Sequence, residues 1–568
     1  MPDHHPASSQ LQQLFVDEWE FRMQEDPLFA TLCGDHRYND RLPSVSEADS
    51  RRRLAQMRAF HERLQAIDRS ALTPDERLNR DIFAHGLENE IAETEFRAYL
   101  MPVAKVSGFH SLFPELPEHV PLNTLKDYEN YTARLSAFQA YVQGHIELMR
   151  AGMREGYVPA RVVLEGIEDS IRPHIVEDAA HSLLFKPFEK LSNAIDSAGQ
   201  QRLIEMASAA IMNSIVPGYR ALLRFMIEEY IPAARSDIAA STLPNGRAFY
   251  EHRIRYFTTL NLSPQQVHDT GLAEVKRIRA DMQAIVEKVG FEGSFQEFIN
   301  FLRTDARFYV DTPEALMKEV ALVLKKMDGE LPRLFKTLPR MPYGIKPVPD
   351  YIAPKTTTAY YFPPAGDGTR AGIYYVNTYD LKSRPLYEIE ALSLHEAVPG
   401  HHLQIALQQE LGESPNFRRF GWITAFGEGW ALYTERLGLE VGFYQDPYSD
   451  FGRLAYEMWR ACRLVVDTGM HALGWTRQQA IDFMLENTAS TLLNITNEVD
   501  RYIAWPGQAL AYKMGELKIR ELRALAEKEL GARFDLREFH DVVLRDGGVP
   551  LAVLEANVKS WLAEQAQT

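Results

Sequence analysis

The chain has 568 residues, of which 45% are hydrophobic and 25% are charged, and its formal net charge is −16. This balance is typical of a folded globular protein, and the acidic excess argues against nucleic acid or an anionic membrane surface as a partner. The two cysteines, Cys33 and Cys462, lie far apart in the sequence and offer no disulfide framework.

Several features of the sequence favour the cytoplasm. The first residues lack both the basic and the apolar region of a signal peptide, and no apolar run is long enough to cross a bilayer. A protein with so few cysteines suits a reducing compartment. We therefore expect a cytoplasmic protein that binds neither nucleic acid nor membranes, and its oligomeric state stays open.

Apolar residues at helical spacing dominate the first 336 residues. Thr73 and Pro74 form a strong helix-start signal, because threonine caps free N–H groups and proline fits the first helical position. The predicted helices are Ser9–Glu25, Glu47–Ile67, Pro74 to about Tyr99, and residues 124–154, 178–197, 199–229, 263–289, 294–302 and 313–336.

Residues 337–385 interrupt this helical pattern with clustered prolines and glycines. Two segments between them, Thr356–Phe362 and Gly372–Tyr379, are rich in threonine, tyrosine, valine and isoleucine, which predicts two short strands in a hairpin. A free strand edge beside the helix that follows could bind an extended peptide through its main chain, with Tyr375 as a substrate contact. The alternative is a surface hairpin that only packs.

Helical patterns return after this segment. The predicted helices are residues 386–398, 401–411, 415–440, 447–473, 476–488, 491–503 and 506–529, with a last helix from Pro550. We therefore predict a mainly α protein with a minor β element, formed as a single continuous domain over residues 1–568.

The segment from His395 to His402 has the sequence His-Glu-Ala-Val-Pro-Gly-His-His. Its imidazoles could hold zinc and its carboxylate could activate a water, but the two histidines of the common HExxH motif are four residues apart. On an unbroken helix His395 and His401 would lie about 120° apart around the axis, and His402 would lie about 10 Å further along. Neither pair could then bind one ion.

Pro399 and Gly400 predict a break in this helix between Val398 and His401. Proline removes a helical hydrogen bond and clashes with the carbonyl four residues back, and glycine permits almost any backbone angle. If two residues loop out, His401 takes the place of the second motif histidine, and if three do, His402 takes it. We favour His401 as the ligand, and the other histidine then supports the site or contacts substrate.

Three glutamates complete the predicted site. Glu396 follows the first histidine, and in HExxH enzymes this residue accepts the proton of the zinc-bound water. Glu428 is the best third ligand, because it lies on an otherwise apolar helical stripe where a carboxylate needs a partner. Glu435 is two turns further along, so it would orient a histidine, contact substrate or form a structural ion pair.

Two further pairs are candidate supporting groups. Arg460 and Arg463 lie on an unusually apolar helix, where they would grip a substrate carboxylate or form an internal ladder of salt bridges. Tyr502 and Tyr512 lie in an aromatic cluster after a helix break, and a tyrosine hydroxyl can stabilise the oxyanion of amide hydrolysis. The alternative for both tyrosines is plain aromatic core.

The motifs at residues 395–402, 427–433, 506–509 and 539–541 resemble those of a bacterial family of unknown function, DUF885. The resemblance implies a helical fold similar to gluzincin metallopeptidases of the thimet-oligopeptidase and carboxypeptidase Taq type. These have two helical lobes, here about 1–340 and 341–568, and a deep channel with zinc at its floor. It also implies that Glu428 binds the metal, that Glu435 is the acid seven residues on, and that Tyr512 contacts the transition state.

The leading hypothesis is therefore a zinc metallopeptidase that hydrolyses oligopeptides. One Zn²⁺ is held by His395, His401 and Glu428, and Glu396 activates the bound water. One alternative is a zinc hydrolase of small amides or esters. Another is a non-catalytic helical metal-binding protein, in which a fourth protein ligand such as His402 would replace the water.

Overall fold

The computed structural model describes residues 6–104, 107–350 and 352–566. Helices form most of them, which confirms the predicted mainly α class. The chain divides into two compact units: the first runs to Ile238 and includes Thr242–Gly246, and the second contains Ala239–Ser241 and the residues from Arg247 onwards. The single domain over residues 1–568 stays a prediction. None of the described helices is long and apolar enough to cross a bilayer.

The first unit packs its helices around its own apolar core, which includes Leu135, Phe138 and Tyr219. Its helices are α1 (Pro6–Glu25), α2 (Pro27–Leu32), α3 (Glu47–Gln65), α4 (Pro74–Glu95), α5 (Phe109–Leu112), α6 (Leu125–Glu155), α7 (Glu168–Ile171), α8 (Lys186–Glu189), α9 (Ser197–Ala210), α10 (Val216–Phe225) and α11 (Ile231–Ala233). The predicted start of α4 is confirmed, since Thr73 and Glu76 form a reciprocal capping box.

The prediction of a continuous helix over residues 178–197 is wrong. The chain forms short 3₁₀ turns there, followed by the four-residue α8. The side chain of Asp178 accepts a hydrogen bond from the N–H of Ala180, and Ser182 accepts one from the N–H of Leu184. Such local bonds compete with a continuous helix.

The second unit begins within α12 (Gly246–Thr258). This helix was not predicted from the sequence, and neither were α2, α5, α7, α11 and the helix at Leu536–Leu544. The remaining helices are α13 (Pro264–Lys288), α14 (Phe295–Thr304), α15 (Pro313–Leu334), α16 (Ile389–Glu396), α17 (His401–Gln409), α18 (Asn416–Phe420), α19 (Thr424–Leu437), α20 (Pro447–Ala472), α21 (Arg477–Asn487), α22 (Leu492–Ala504), α23 (Ala511–Leu530), α24 (Leu536–Leu544) and α25 (Leu551–Gln565).

The predicted continuous helix over residues 415–440 is also wrong, because the chain leaves the helix between α18 and α19. Gln408 of α17 donates hydrogen bonds from Nε2 to the carbonyl oxygens of Arg418 and Gly421. These bonds satisfy carbonyls that a continuous helix would have paired along its own axis.

Strands β1 (Val103–Ala104) and β2 (Ser107–Gly108) form a small antiparallel pair in the first unit. The second unit contains a sheet of β3 (Tyr343–Pro347), β4 (Ala359–Phe362) and β5 (Gly372–Val376), in the order β3-β5-β4. The antiparallel pair of β4 and β5 confirms the predicted hairpin. The parallel strand β3 was missed, and β4 remains an edge strand among the described residues.

Helix α20 is buried along most of its length and forms a wall beside α16. It packs closely against α13, because a Cβ atom on Gly271 would lie only 2.7 Å from the Cβ of Leu464. This close packing fixes the direction in which the side chains of α20 point.

Candidate metal centre

The predicted helix break is confirmed and spans residues 397–400. Helix α16 ends at Glu396 and α17 begins at His401, with a cis peptide bond between Val398 and Pro399. The N–H of His402 donates to the carbonyl oxygen of Ala397 across the break. The two histidines that would be out of line on one straight helix therefore belong to two separate helices.

Two contacts hold the loop between these helices in place. A Cβ atom on Gly400 would collide with the carbonyl oxygens of Leu394 and His395, so only glycine fits there. The indole Nε1 of Trp430, on α19, donates a 2.9 Å hydrogen bond to the carbonyl oxygen of Pro399. The helix that carries Glu428 thus also positions the loop before His401.

The structure brings His395, His401 and Glu428 together, with one ligand atom of each lying within 4.8 Å of the others. Oε2 of Glu428 lies 3.6 Å from Nε2 of His395 and 3.4 Å from Nε2 of His401. Ligands bound at about 2.0–2.2 Å around a tetrahedral zinc are separated by about 3–4 Å. The two distances to Glu428 therefore already match the spacing around one zinc ion, and the two histidines lie within 4.8 Å of each other.

Glu428 reaches this point because two glycines let its helix approach its neighbours. Gly427 packs against the ring of Trp422, and Gly429 packs against the backbone of Gly515 on α23. Larger residues at either position would push α19 away. The glycines on both sides of Glu428 in the sequence are thus packing positions that seat the carboxylate.

Glu435 contacts the ring of His395 at the nitrogen that does not face Glu428. Its Oε1 accepts a 2.8 Å hydrogen bond from Nδ1 of His395, leaving Nε2 of that ring directed at Glu428. Carboxylates commonly orient metal-binding histidines in this way and make them better ligands. Of the roles predicted for Glu435, the geometry favours orientation of a histidine.

Charges around the site shift the pKa values of its members. Burial alone would lower the pKa of His395, but the carboxylates of Glu428 and Glu435 raise it to about 9. Burial alone would raise the pKa of Glu428, but the imidazoles of His401 and His395 hold it well below its usual range. The carboxylate is therefore ionised, and a bound cation would replace the proton shared by this cluster.

His402 points away from the three ligand atoms. Its Nε2 lies 3.0 Å from the carbonyl oxygen of Met341, and its Nδ1 lies 2.8 Å from the hydroxyl of Tyr361 on β4. Burial lowers the pKa of His402 to about 4. It joins α17 to the sheet, and both of its ring nitrogens are already engaged.

The residues present fit a zinc ion on a further observation. Oε2 of Glu428 is buried and has no close hydrogen-bond partner among the described residues, only the two imidazoles at 3.4 and 3.6 Å, and a buried carboxylate oxygen without close partners is costly. Two imidazoles and one carboxylate are also a common ligand set of catalytic zinc, which keeps its fourth position for water or substrate.

The three ligand residues line a cavity of about 490 Å³. The half-buried Glu396 lines the same cavity, next in sequence to His395, and its carboxylate has no hydrogen-bond partner among the described residues. Residues Thr357–Tyr361, which include the start of the edge strand β4, form another part of the wall. The site thus combines candidate ligand atoms, the carboxylate of Glu396 and part of an edge strand.

The three predicted tyrosines occupy different positions. The ring of Tyr512 lines the cavity and stacks beside the ring of His395, with 6.5 Å between centroids. The hydroxyl of Tyr502 accepts hydrogen bonds from Trp459 and Arg463, which suits the positioning of Arg463 better than contact with an oxyanion. Tyr375 stacks against the cavity-lining Tyr360, which places it one ring away from the cavity.

Arg460 and Arg463 both line the cavity from α20, so the structure brings them to the site as predicted. They are accompanied by two residues that the sequence analysis missed, Glu498 and Arg501 of α22. Trp422 and Trp505 at the cavity wall were also missed. The signal for Glu498 and Arg501 was their three-residue spacing on an amphipathic helix, which shows a shared face but gives no neighbour.

Comparisons with known proteins show which family the chain belongs to. A family model described as a bacterial protein of unknown function (DUF885) matches residues 27–558, and no curated protein matches the chain. The crystal structure of a putative lipoprotein from Colwellia psychrerythraea is 31% identical, with a TM-score of 0.93 over 99% of this chain and 100% of that chain.

A second solved structure, a putative lipoprotein of unknown function from Shewanella oneidensis, is 19% identical, with a TM-score of 0.67 over 96% of this chain and 98% of that chain. This second likeness concerns the fold alone. The family model covers nearly the whole sequence, including the helix break and all three ligand residues. The chain therefore belongs to the DUF885 family of bacterial proteins of unknown function.

Proposed function

We propose that this protein is a zinc-dependent metallopeptidase that hydrolyses oligopeptides. The observation that carries the proposal is the convergence of His395, His401 and Glu428 at zinc spacing, with Glu396 beside them in one cavity. Zinc bound there would acidify a water molecule and polarise the carbonyl group to be cleaved.

The side chains around the site would perform the proton transfers. Glu396 accepts the proton of the attacking water and passes it to the departing amine as the C–N bond breaks. Tyr512 donates a hydrogen bond to the oxygen on which negative charge develops. Glu435 holds the ring of His395 in the orientation that binding requires.

The cavity supports a peptide substrate. Its volume of about 490 Å³ lies within the usual range of ligand pockets, about 300–1,000 Å³. It can hold several residues of a peptide as well as a small molecule. The neighbouring backbone of β4 adds a strand edge for main-chain hydrogen bonds, which a small amide or ester would not use. A strand edge offers main-chain hydrogen bonds to an extended peptide whatever its side chains.

The orientation of His402 supports an open metal site. In a purely structural zinc site a fourth protein ligand would be needed, and His402 is the nearest candidate in the sequence. Its nitrogens contact Met341 and Tyr361 instead. The fourth position is therefore free for water or substrate under this proposal.

The cytoplasm stays the predicted location. Cys33 and Cys462 are both unpaired, which suits a reducing compartment. The description as lipoproteins belongs to the two similar structures. Fractionation of cells followed by detection of this protein would decide between the soluble and the membrane fraction.

The test combines metal analysis with digestion of a mixed peptide library. The purified protein should contain about one zinc per chain and should cleave peptides. The Glu396→Gln variant should keep the metal and lose turnover, while Glu440→Gln, at a surface ion pair with Arg523, should behave like the wild type. A metal-free protein after loading with zinc, or a Glu396→Gln variant with full activity, would contradict the proposal.

A further inference from the structure

Two arginines of α20 bring buried nitrogens without partners to the cavity wall. Nε of Arg460 and Nη1 of Arg463 have no hydrogen-bond partner in the described part of the chain, although both side chains line the cavity and are only 6% and 5% exposed. Buried N–H donors of a guanidinium group are costly to leave unpaired. Their position suggests an anionic ligand.

The other nitrogens of Arg463 are held by the protein. Its Nε donates to the hydroxyl of Tyr502 at 2.9 Å, and its Nη2 donates to Glu498 at 3.2 Å. Its Cζ lies 4.7 Å from the centroid of the Trp459 ring. The guanidinium group is therefore fixed in orientation, while its buried Nη1 has no hydrogen-bond partner among the described residues.

Arg460 is held mainly by stacking. Its Cζ lies 4.5 Å from the centroid of the Tyr456 ring and 5.0 Å from that of Trp459. The nearest carboxylate oxygen, Oε1 of Glu435, is 3.8 Å from Nη2 and already accepts a short hydrogen bond from His395. Arg460 therefore has no close carboxylate of its own.

The pairing of charges in the cavity leaves a place for an anion beside the arginines. Arg460, Arg463 and Arg501 line the cavity together with Glu396, Glu428 and Glu498, and Glu428 lies against His395 and His401. Glu498 is shared, because its Oε2 accepts from both Arg463 and Arg501. Glu498 thus serves two guanidinium groups, and the guanidinium group of Arg460 has only the 3.8 Å contact with Glu435.

The distance from the metal ligands sets the size of the leaving fragment. Cζ of Arg463 lies 4.5 Å from the ring centroid of Tyr512, and that ring lies 6.5 Å from the ring of His395. An extended peptide advances about 3.4 Å per residue. The ring of His395 and Cζ of Arg463 are therefore at most about 11 Å apart, so a carboxylate bound by Arg463 lies no more than about two residues beyond a peptide bond at the metal site.

From these observations we propose that Arg460 and Arg463 bind the C-terminal carboxylate of the substrate, so that the protein is a carboxypeptidase. The inference rests on the proposed peptidase function and names its substrate end. The hydroxyl of water joins the carbonyl carbon and its remaining proton joins the amine nitrogen as the C–N bond breaks. The released amino acid or dipeptide keeps the original carboxylate on the arginines, whose planar forks match a carboxylate in geometry.

The test uses two hexapeptides of the same sequence with an N-terminal dansyl group, one with a free C-terminal carboxylate and one with a carboxamide. Zinc-loaded wild type should shorten the free acid from its C-terminus, as mass spectrometry of the products will show. The zinc-loaded Glu396→Gln variant should bind the free acid at least about tenfold more tightly than the amide, measured by dansyl fluorescence, since charge-assisted bonds are lost with the amide.

Substitution of either arginine should remove this preference. In the Glu396→Gln background, Arg460→Gln or Arg463→Gln should bring the ratio of the two affinities close to one, mainly by weakening the free acid. The lysine replacements should recover part of the ratio, because lysine keeps the charge and loses the fork. The matched control is Arg477→Gln, whose partner Asp500 does not line the cavity.

The outcomes separate the two proposals. Equal binding of the acid and the amide, or cleavage only at internal bonds, would overturn the carboxylate site and leave the peptidase proposal standing. If neither peptide is cleaved, the peptidase proposal fails, and the binding ratio still decides whether the carboxylate site exists. If the arginine variants do not fold, the comparison of the two peptides on otherwise unaltered protein decides alone.

Discussion

Histidines whose ring nitrogens are buried have opposite electrostatic surroundings in the two units. In the first unit, the ring nitrogens of His110 and His145 have no hydrogen-bond partner among the described residues, and burial lowers their pKa values to about 4 and about 3. In the second unit, His395 is also buried, yet Glu428 and Glu435 raise its pKa to about 9. Burial lowers the pKa of these two histidines in the first unit, whereas two neighbouring carboxylates raise the pKa of the histidine in the candidate metal centre.

The largest expected effect comes from removing the carboxylate of Glu428, one of the two that distinguish His395 from the histidines of the first unit. Glu428→Gln keeps the size of the side chain but removes the charge of one of the three proposed ligands. Zinc content measured by mass spectrometry should fall from one per chain to below about a tenth, a loss larger than the roughly 10–100-fold effect of residues that only orient ligands.

The control for this variant is again Glu440→Gln, because Glu440 pairs with Arg523 at the surface and not with a histidine. A Glu428→Gln protein that binds zinc as tightly as the wild type would show that the carboxylate of Glu428 is not a ligand.

A smaller effect is expected from Glu435, which contacts His395 from the side opposite to Glu428. Glu435→Gln keeps an acceptor for Nδ1 but removes the charge, and Glu435→Leu removes both. Zinc affinity, measured by competition with a coloured chelator, should fall about tenfold for the first and about a hundredfold for the second. Equal affinities for the wild type and the leucine variant would reduce Glu435 to a packing residue.

The cluster of His395, His401 and Glu428 could be predicted from the sequence because its signals are local. Pro399 and Gly400 announce the break, and Glu428 stands out as a carboxylate on an apolar stripe. The choice of His401 over His402 depends on the loop that Trp430 holds from a different helix, and on the contacts that hold His402 against β4. Such long-range contacts leave no periodic trace in the sequence.

The secondary structure shows the same difference between features with local sequence signals and features that depend on long-range contacts. Helices with strong caps, such as α4, were predicted within a few residues of their observed ends. Strand β3 was missed because Gly344 and Pro347 resemble a turn, and only pairing with β5 makes the segment a strand. The pair of Glu498 and Arg501 was missed for a related reason, since their role depends on α20 packing beside α22.

The neutral histidines of the first unit predict a loss of stability in acid. Because burial lowers the folded-state pKa values of His110 and His145 below about 6.5, the unfolded chain takes up more protons as the pH falls below that value. The stabilising effect is therefore present above pH 6.5 and is lost towards pH 4. Between pH 7 and pH 5 the free energy of unfolding should fall by about 2 kcal/mol for each histidine.

Urea unfolding followed by far-UV circular dichroism at the two pH values will measure this change, with the exposed His181→Gln variant as the control for a solvated histidine. An unfolding free energy of the first unit that is the same at pH 7 and pH 5 would mean that the two rings find polar partners after all.

The smallest expected effect tests whether His145 needs its nitrogens. Its ring lies parallel to that of Phe109, with 4.0 Å between centroids, and edge-on to Tyr141. In His145→Phe the aromatic contacts remain and two unpaired nitrogens disappear, so the free energy of unfolding at pH 7 should rise by about 1 kcal/mol. Zinc content and peptide cleavage should not change. A destabilised variant would show that the nitrogens are hydrogen-bonded, and the contrast between a histidine of the core and a histidine of the site would then rest on His110 alone.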